Sequence, residues 1–157
     1  DEYIYLGSDE DNFIDVSFQF GWNIVGLPLE VEDPSYLIIF PDAIENTFFS
    51  FDGAYTPGTF MMEGEGYWLR FESAGNTTIT GNSINELTIS LNEGWNLISG
   101  VSTPLNISDI QVPDGIIISG TVYGFTSGSY LNTENIEPGK GYWVRANNSG
   151  SIILISE

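Results

Sequence analysis

The chain of 157 residues contains no cysteine and no histidine, and its only cationic side chains are Arg70, Lys140 and Arg145. Without cysteine there is no disulfide and no thiolate metal site. Without histidine, the usual general base near neutral pH and the commonest metal ligand are both missing. Against three cations stand 22 Asp and Glu, a formal net charge of −19 at pH 7 and a sequence pI near 4.1. Such a surface repels the phosphates of nucleic acids and anionic membranes, so neither is an expected partner. Long apolar runs are also lacking. No segment approaches the ~20 residues of a membrane helix, and no basic n-region with an apolar h-region opens the chain. The start at Asp1 and the acidic, Gly/Ser/Thr/Asn-rich composition read as a mature secreted product whose signal segment has been removed. The expected location is extracellular, at the cell surface.

What the chain does have, it has twice. Gly21-Trp22-Asn23-Ile24-Val25 returns as Gly94-Trp95-Asn96-Leu97-Ile98. Gly64-Glu65-Gly66-Tyr67-Trp68-Leu69-Arg70 returns as Gly139-Lys140-Gly141-Tyr142-Trp143-Val144-Arg145. The first pair is offset by 73 positions and the second by 75, so order and spacing both recur. All four tryptophans and all three cations fall in these landmarks. The organisation expected is an N-terminal extension over 1–12, a first unit over 13–81, a linker over 82–85 and a second unit over 86–157.

The periodicity is that of strands. Val16, Phe18 and Phe20 alternate with polar residues, as do Leu87, Ile89 and Leu91. Short runs after Gly21 and Gly94 read as second strands. The turns Asp52-Gly53 and Ser127-Gly128, each following a β-prone run, signal hairpins. Helix signals are thin: Tyr36 to Glu45 holds a turn or two before Pro41 interrupts it, and Ile107 to Ile110 reads as one 3₁₀ turn. The fold class expected is all-β, two tandem small sandwich or barrel units related by internal duplication.

The Gly-Trp-Asn-(Leu/Ile)-(Ile/Val) landmark, followed some 45 residues later by Gly-(Lys/Glu)-Gly-Tyr-Trp-(Val/Leu), resembles a repeat of large secreted and cell-surface bacterial proteins. There it often lies near the C-terminus or beside immunoglobulin-like modules. The resemblance runs from about Phe13 to the end and implies an extracellular, non-catalytic β-module. It brings no ligand, activity or functional residue with it. Glu65 in the first unit, where the second has Lys140, means that any role needing a cation there works in one copy only.

On an extended strand Tyr67 and Leu69 face one way and Trp68 and Arg70 the other, with the same split at Tyr142, Val144, Trp143 and Arg145. One reading makes Trp68 with Arg70, and Trp143 with Arg145, platforms for sugar rings. The other packs each Trp under its arginine stem as core cover. Trp22 and Trp95 are expected in the core, and Asn23 and Asn96 are expected to bond nearby backbone. The acidic run Asp9-Glu10-Asp11-Asn12 offers oxygens to calcium but lacks the spacing of a known calcium loop, so it reads first as a solvated turn. Otherwise no cofactor is expected. Sequons at Asn76, Asn106 and Asn147 are about as frequent as chance provides.

Tyr3-Ile4-Tyr5-Leu6 has no counterpart in the second unit and is apolar on both faces, so it reads as a strand in need of a partner edge. Donated to a neighbouring copy, it would build a head-to-tail fibre. The leading functional expectation is thus a non-catalytic subunit of an extracellular filament, a homopolymer joined through Tyr3, Ile4, Tyr5 and Leu6. The alternatives are a carbohydrate-binding or adhesion module that meets a cell-surface glycan through Trp68, Arg70, Trp143 and Arg145 and, least favoured, a carboxylate-driven glycosidase.

Overall fold

The computed structural model describes residues 12–156. Tyr3, Ile4, Tyr5 and Leu6, and the acidic run up to Asp11, lie outside the described residues. The fold is all-β, with antiparallel sheets throughout. In the first half run β1 (Asn12–Phe18), β2 (Gly21–Val25), β3 (Leu29–Glu30), β4 (Phe49–Phe51), β5 (Tyr55–Pro57), β6 (Tyr67–Phe71) and β7 (Gly75–Ser83). The second half holds β8 (Glu86–Leu91), β9 (Gly94–Ser99), β10 (Leu105–Asn106), β11 (Tyr123–Thr126), β12 (Ser129–Asn132), β13 (Asn135–Ile136), β14 (Gly141–Ala146) and β15 (Gly150–Ile155). Strand β7 takes in Asn82 and Ser83, so only Ile84 and Asn85 separate it from β8.

Each half is sandwich-like. A four-stranded sheet in the order β2-β6-β4-β5 faces the sheet β1-β7-β3, and in the second half a sheet in the order β12-β11-β14-β9 faces β15-β8. Strand alternation fills the space between them. Val16 and Phe18 from β1, Tyr67, Leu69 and Phe71 from β6 and Ile79 from β7 form one core; Ile89 and Leu91, Tyr142 and Val144, and Ile152 and Leu154 take the corresponding places in the other. The first core is aromatic, with Phe18 stacked on Phe71 at 3.8 Å and Phe48 stacked between Tyr36 and Tyr67 at 4.6 and 4.5 Å. The second is mostly aliphatic.

Local chemistry explains the turns. Ser127 and Gly128 both have positive φ, 52° and 81°, as a two-residue hairpin loop between twisted strands requires. Helix α1 (Tyr36–Ile39) stops after four residues because Pro41 disfavours helical backbone at Phe40, whose φ and ψ are −124° and 77°. The expected 3₁₀ turn forms over Ile107–Asp109, opened by Asn106 Oδ1 accepting from Ser108 N at 2.9 Å. Phe20 differs from expectation: β1 ends at Phe18, and Phe20 sits exposed in the turn to β2. That turn is fastened by Asn23, whose Oδ1 accepts from Gln19 N at 2.9 Å and whose Nδ2 donates to Gln19 O and Gly21 O. Asn96 makes the same three bonds to Asn92 N, Asn92 O and Gly94 O. Both asparagines bond nearby backbone, as expected from the sequence, and both are buried.

The halves meet backbone to backbone, in reciprocal pairs. Val25 bridges Lys140 and Glu65 bridges Ile98. Gly26 N donates to Gly139 O at 3.1 Å, and Ser99 N donates to Gly64 O at 3.0 Å. This contact explains the twice-used Gly-x-Gly. A Cβ on Gly141 would lie 2.3 Å from Ile24 Cγ2, and one on Gly66 would lie 2.8 Å from Ile98 O. Gly139 and Gly64 have positive φ, and a Cβ on Gly139 would lie 2.4 Å from Val16 Cγ2. At the centre, Gly26 faces Ser99, with room for one Cβ: a second, on Gly26, would lie 2.1 Å from Ser99 Cβ. Ser99 Oγ is buried without a hydrogen-bond partner. Two further ties cross the seam: Ser102 Oγ donates to Pro28 O at 2.6 Å, and Lys140 Nζ donates to Ser17 O.

Gly26→Ala is therefore expected to cost about 1–3 kcal/mol, the usual range for overpacking, and Ser99→Gly in the same chain to return most of it. Denaturant unfolding of the two single variants and the double variant checks this. Equal stability of Gly26→Ala with and without Ser99→Gly would mean that the two positions do not meet.

A candidate ligand site of paired aromatic clefts

The face of each four-stranded sheet turned away from its own core is built of rings. In β2, Asn23 and Val25 point to the first core, which leaves Trp22 and Ile24 on the opposite side; β9 repeats this with Trp95 and Leu97. Trp68 and Trp143 lie on the same faces, opposite Ile24 and Leu97 in register, and each has an aromatic partner on its other flank, Phe49 beside Trp68 and Tyr123 beside Trp143. The two faces pack together at their centre, where Ile24, Leu97 and Trp143 are buried. Burying each such side chain contributes about 1.5–3 kcal/mol.

The hairpins cross the seam. Phe51 at the end of β4 sets its ring 4.9 Å from Trp143, edge to face, and Phe125 in β11 sets its ring 5.0 Å from Trp68 in the same way. Asn92 Nδ2 donates to Asp52 Oδ1 at 3.0 Å and so ties the tip of the β4–β5 hairpin to the second half. Tyr55 and Tyr130 follow, packed edge-on against Phe51 and Phe125 and more than half exposed. Away from the centre the faces part and leave two open clefts. The larger, about 590 Å³, lies over Trp95, Trp143 and Tyr123, with Thr121 and Arg145 at its margin and Phe51 from the other half as a wall. The smaller, about 470 Å³, lies over Trp22, Trp68 and Phe49, with Phe125 as its wall. Tyr55 and Tyr130 line both.

The four residues proposed as glycan platforms are thus separated by their surroundings. Trp143 is only 8 % exposed and Trp68 is half-buried, while Arg70 and Arg145 are exposed. Trp68 Nε1 is buried without a hydrogen-bond partner. The cover over Trp68 and Trp143 comes from rings of the opposite half. Trp22 and Trp95 correct the expectation of core positions, being 40 % and 43 % exposed. They share the parity of Ile24 and Leu97 but sit one pleat farther out, where the two faces have already diverged. Each stands edge-on to its neighbour, Trp22 at 6.2 Å from Trp68 and Trp95 at 6.3 Å from Trp143. In register they oppose Arg70 and Arg145. The exposed tryptophans are therefore Trp22 and Trp95, with Trp68 and Trp143 packed edge-on beside them. Parity within Gly-Trp-Asn-Ile and Gly-Trp-Asn-Leu signals only that each Trp faces away from its asparagine; Ile24 and Leu97 share that parity and are buried.

Behind the clefts, two tyrosines hold the strands that carry Trp68 and Trp143. Tyr67 Oη accepts from Met62 N and Tyr142 Oη from Glu137 N, both at 2.8 Å. Burial raises both phenols, Tyr142 to about 12, and Tyr67 further with Glu65 nearby adding to the rise. The chemistry available at the clefts is ring stacking plus a few donors and acceptors: phenols, a hydroxyl and one guanidinium. Among the described residues lining them there is no carboxylate, and no cluster of acidic side chains suited to a metal ion occurs among the described residues. No protein-family model, curated protein or solved structure matches the chain.

Both phenols are raised in the folded protein, so the stability they contribute is complete below pH 10 and is lost as the pH climbs toward 12 and above. An alkaline titration followed by tyrosinate absorbance and circular dichroism should show the last phenols ionising together with unfolding. Tyr142→Phe should flatten the alkaline fall. Ionisation of every tyrosine near pH 10 in a folded protein would contradict the assignment.

Proposed function

We propose that this protein is a non-catalytic carbohydrate-binding module of the extracellular surface, whose ligand lies on the exposed rings of Trp22 and Trp95. The observation that supports it is the placement of those two rings. Each is about two-fifths exposed at the mouth of an open cleft and held edge-on by a second tryptophan, so that it belongs to a contiguous aromatic patch and does not stand singly. Flat rings fixed in position stack against the apolar C–H faces of pyranose sugars, while the phenols of Tyr55, Tyr130 and Tyr123 and the Arg145 guanidinium serve ring hydroxyls. The charge of −19 selects among glycans, since uronic and sulfated polymers are repelled and neutral ones are not.

Tryptophan emission during titration with neutral polysaccharides should shift with at least one of them. Trp95→Ala should weaken that binding about tenfold or more, as loss of a central aromatic anchor does. A panel of glucans, xylans, mannans and galactans that leaves the emission unchanged would reject the reading.

Assembly into a filament has one specific support of its own. Among the described residues, strand β12 ends its sheet with no strand paired on its outer side, and all four of its residues, Leu131 and Tyr130 among them, are exposed. Removal of residues 1–7, which takes away Tyr3, Ile4, Tyr5 and Leu6, should abolish polymers seen by electron microscopy or sedimentation. Added salt should favour polymers of the intact chain by screening its charge over about 8 Å at physiological strength. Polymers of unchanged length after the deletion would reject strand donation.

A further inference from the structure

The two clefts share a wall and differ in chemistry, and these two facts together bear on the shape of the ligand. Each cleft takes its floor from one half and a ring from the other: Phe51 closes the floor of Trp95 and Trp143, and Phe125 closes that of Trp22 and Trp68. Tyr55 and Tyr130 line both, so a ligand that leaves one cleft past these rings enters the next. The reciprocal seam contacts, Val25 with Lys140 and Ile98 with Glu65, are those of a two-fold arrangement.

A glycan chain has a direction, with a reducing and a non-reducing end. Two clefts in a two-fold arrangement meet such a chain in opposite senses, so identical hydrogen-bonding sets could not both be satisfied. Stacking escapes this limit, because both faces of a pyranose ring present C–H groups whichever way the chain runs. The side chains follow that logic. Tyr123 in the larger cleft is replaced by Phe49 in the smaller, and whereas Thr121 and Arg145 line the larger, their counterparts Thr47 and Arg70 stand outside the lining of the smaller, Arg70 opposite Trp22 in register. We infer that the two clefts form one continuous site for a single unbranched neutral oligosaccharide, with the Trp95 cleft fixing its orientation through Arg145 and Tyr123 and the Trp22 cleft adding direction-independent stacking. This rests on the carbohydrate-binding reading and extends it to chain length, stoichiometry and a division of labour.

The test is calorimetry on the full chain with ladders of cello-, xylo-, manno- and malto-oligosaccharides from the disaccharide upward. The expected result is one oligosaccharide per protein at every length, with affinity that rises by about tenfold or more once the chain reaches the second cleft and then levels off. Trp22→Ala should remove that rise and leave short-chain affinity within about twofold. Arg145→Gln should weaken short and long chains alike, by about tenfold, as loss of a charged donor does. Trp22→Leu is the substitute if Trp22→Ala does not fold. Two equal sites per protein with no length dependence, or an equal effect of Trp22→Ala on short and long chains, would overturn the continuous site while carbohydrate binding stands. No binding by any ladder would remove both.

Discussion

The architecture depends on a close approach of backbones. At the seam, Gly26, Gly66, Gly139 and Gly141 each stand where a Cβ would lie within 2.8 Å of an atom from the other half. Their missing side chains let main-chain N–H groups reach carbonyls across the seam at 3.0–3.1 Å, and the two ring-bearing faces close on Ile24, Leu97 and Trp143. Push the halves apart by the width of a methyl group and Phe51 no longer reaches Trp143, nor Phe125 Trp68. Each cleft would then lose a wall. The glycines that look like mere turn formers in the sequence are in this sense the residues that create the clefts.

Against that shared frame, the differences between corresponding positions carry the information. Ser99 keeps a Cβ where Gly26 has none, and its hydroxyl is left unpaired as a consequence. Lys140 reaches across to Ser17 in the other half, and burial lowers its pKa. Glu65, at the matching place, instead accepts from the Tyr67 hydroxyl of its own half at 3.3 Å. Phe49 stands where the second half has Tyr123. These differences leave the strand order of the four-stranded sheets alike, and the last of them, Phe49 for Tyr123, falls beside the clefts.

Much of this was legible in the residues. Alternation in Val16-Ser17-Phe18 and Leu87-Thr88-Ile89-Ser90-Leu91 marked strands and their buried faces, Ser127-Gly128 marked a hairpin, and Pro41 marked the end of a helix. The split of Tyr67 and Leu69 from Trp68 and Arg70 followed from parity alone. The exposure of Trp22 and Trp95 did not, because it depends on where two sheets diverge, which is a property of tertiary packing and not of a five-residue run. Nor did the role of Gly-x-Gly: a glycine beside a strand signals a tight turn or a close neighbour equally well, and only the opposite half decides between them. Phe51, Tyr55, Phe125 and Tyr130 read as hairpin flanks, since nothing local says that a hairpin of one half lies over a tryptophan of the other.

The central claim is that the halves are locked by main-chain contact and thereby hold the clefts in shape. Residue-resolved hydrogen exchange tests it most directly, at the amides of Gly26, Gly66 and Ser99, which donate across the seam to Gly139, Leu97 and Gly64. Those three amides should exchange as slowly as the amides of Leu69 and Val144 in the cores. Fast exchange at all three, with Leu69 and Val144 still protected, would show that the halves separate freely and that the clefts are not a fixed feature of the protein.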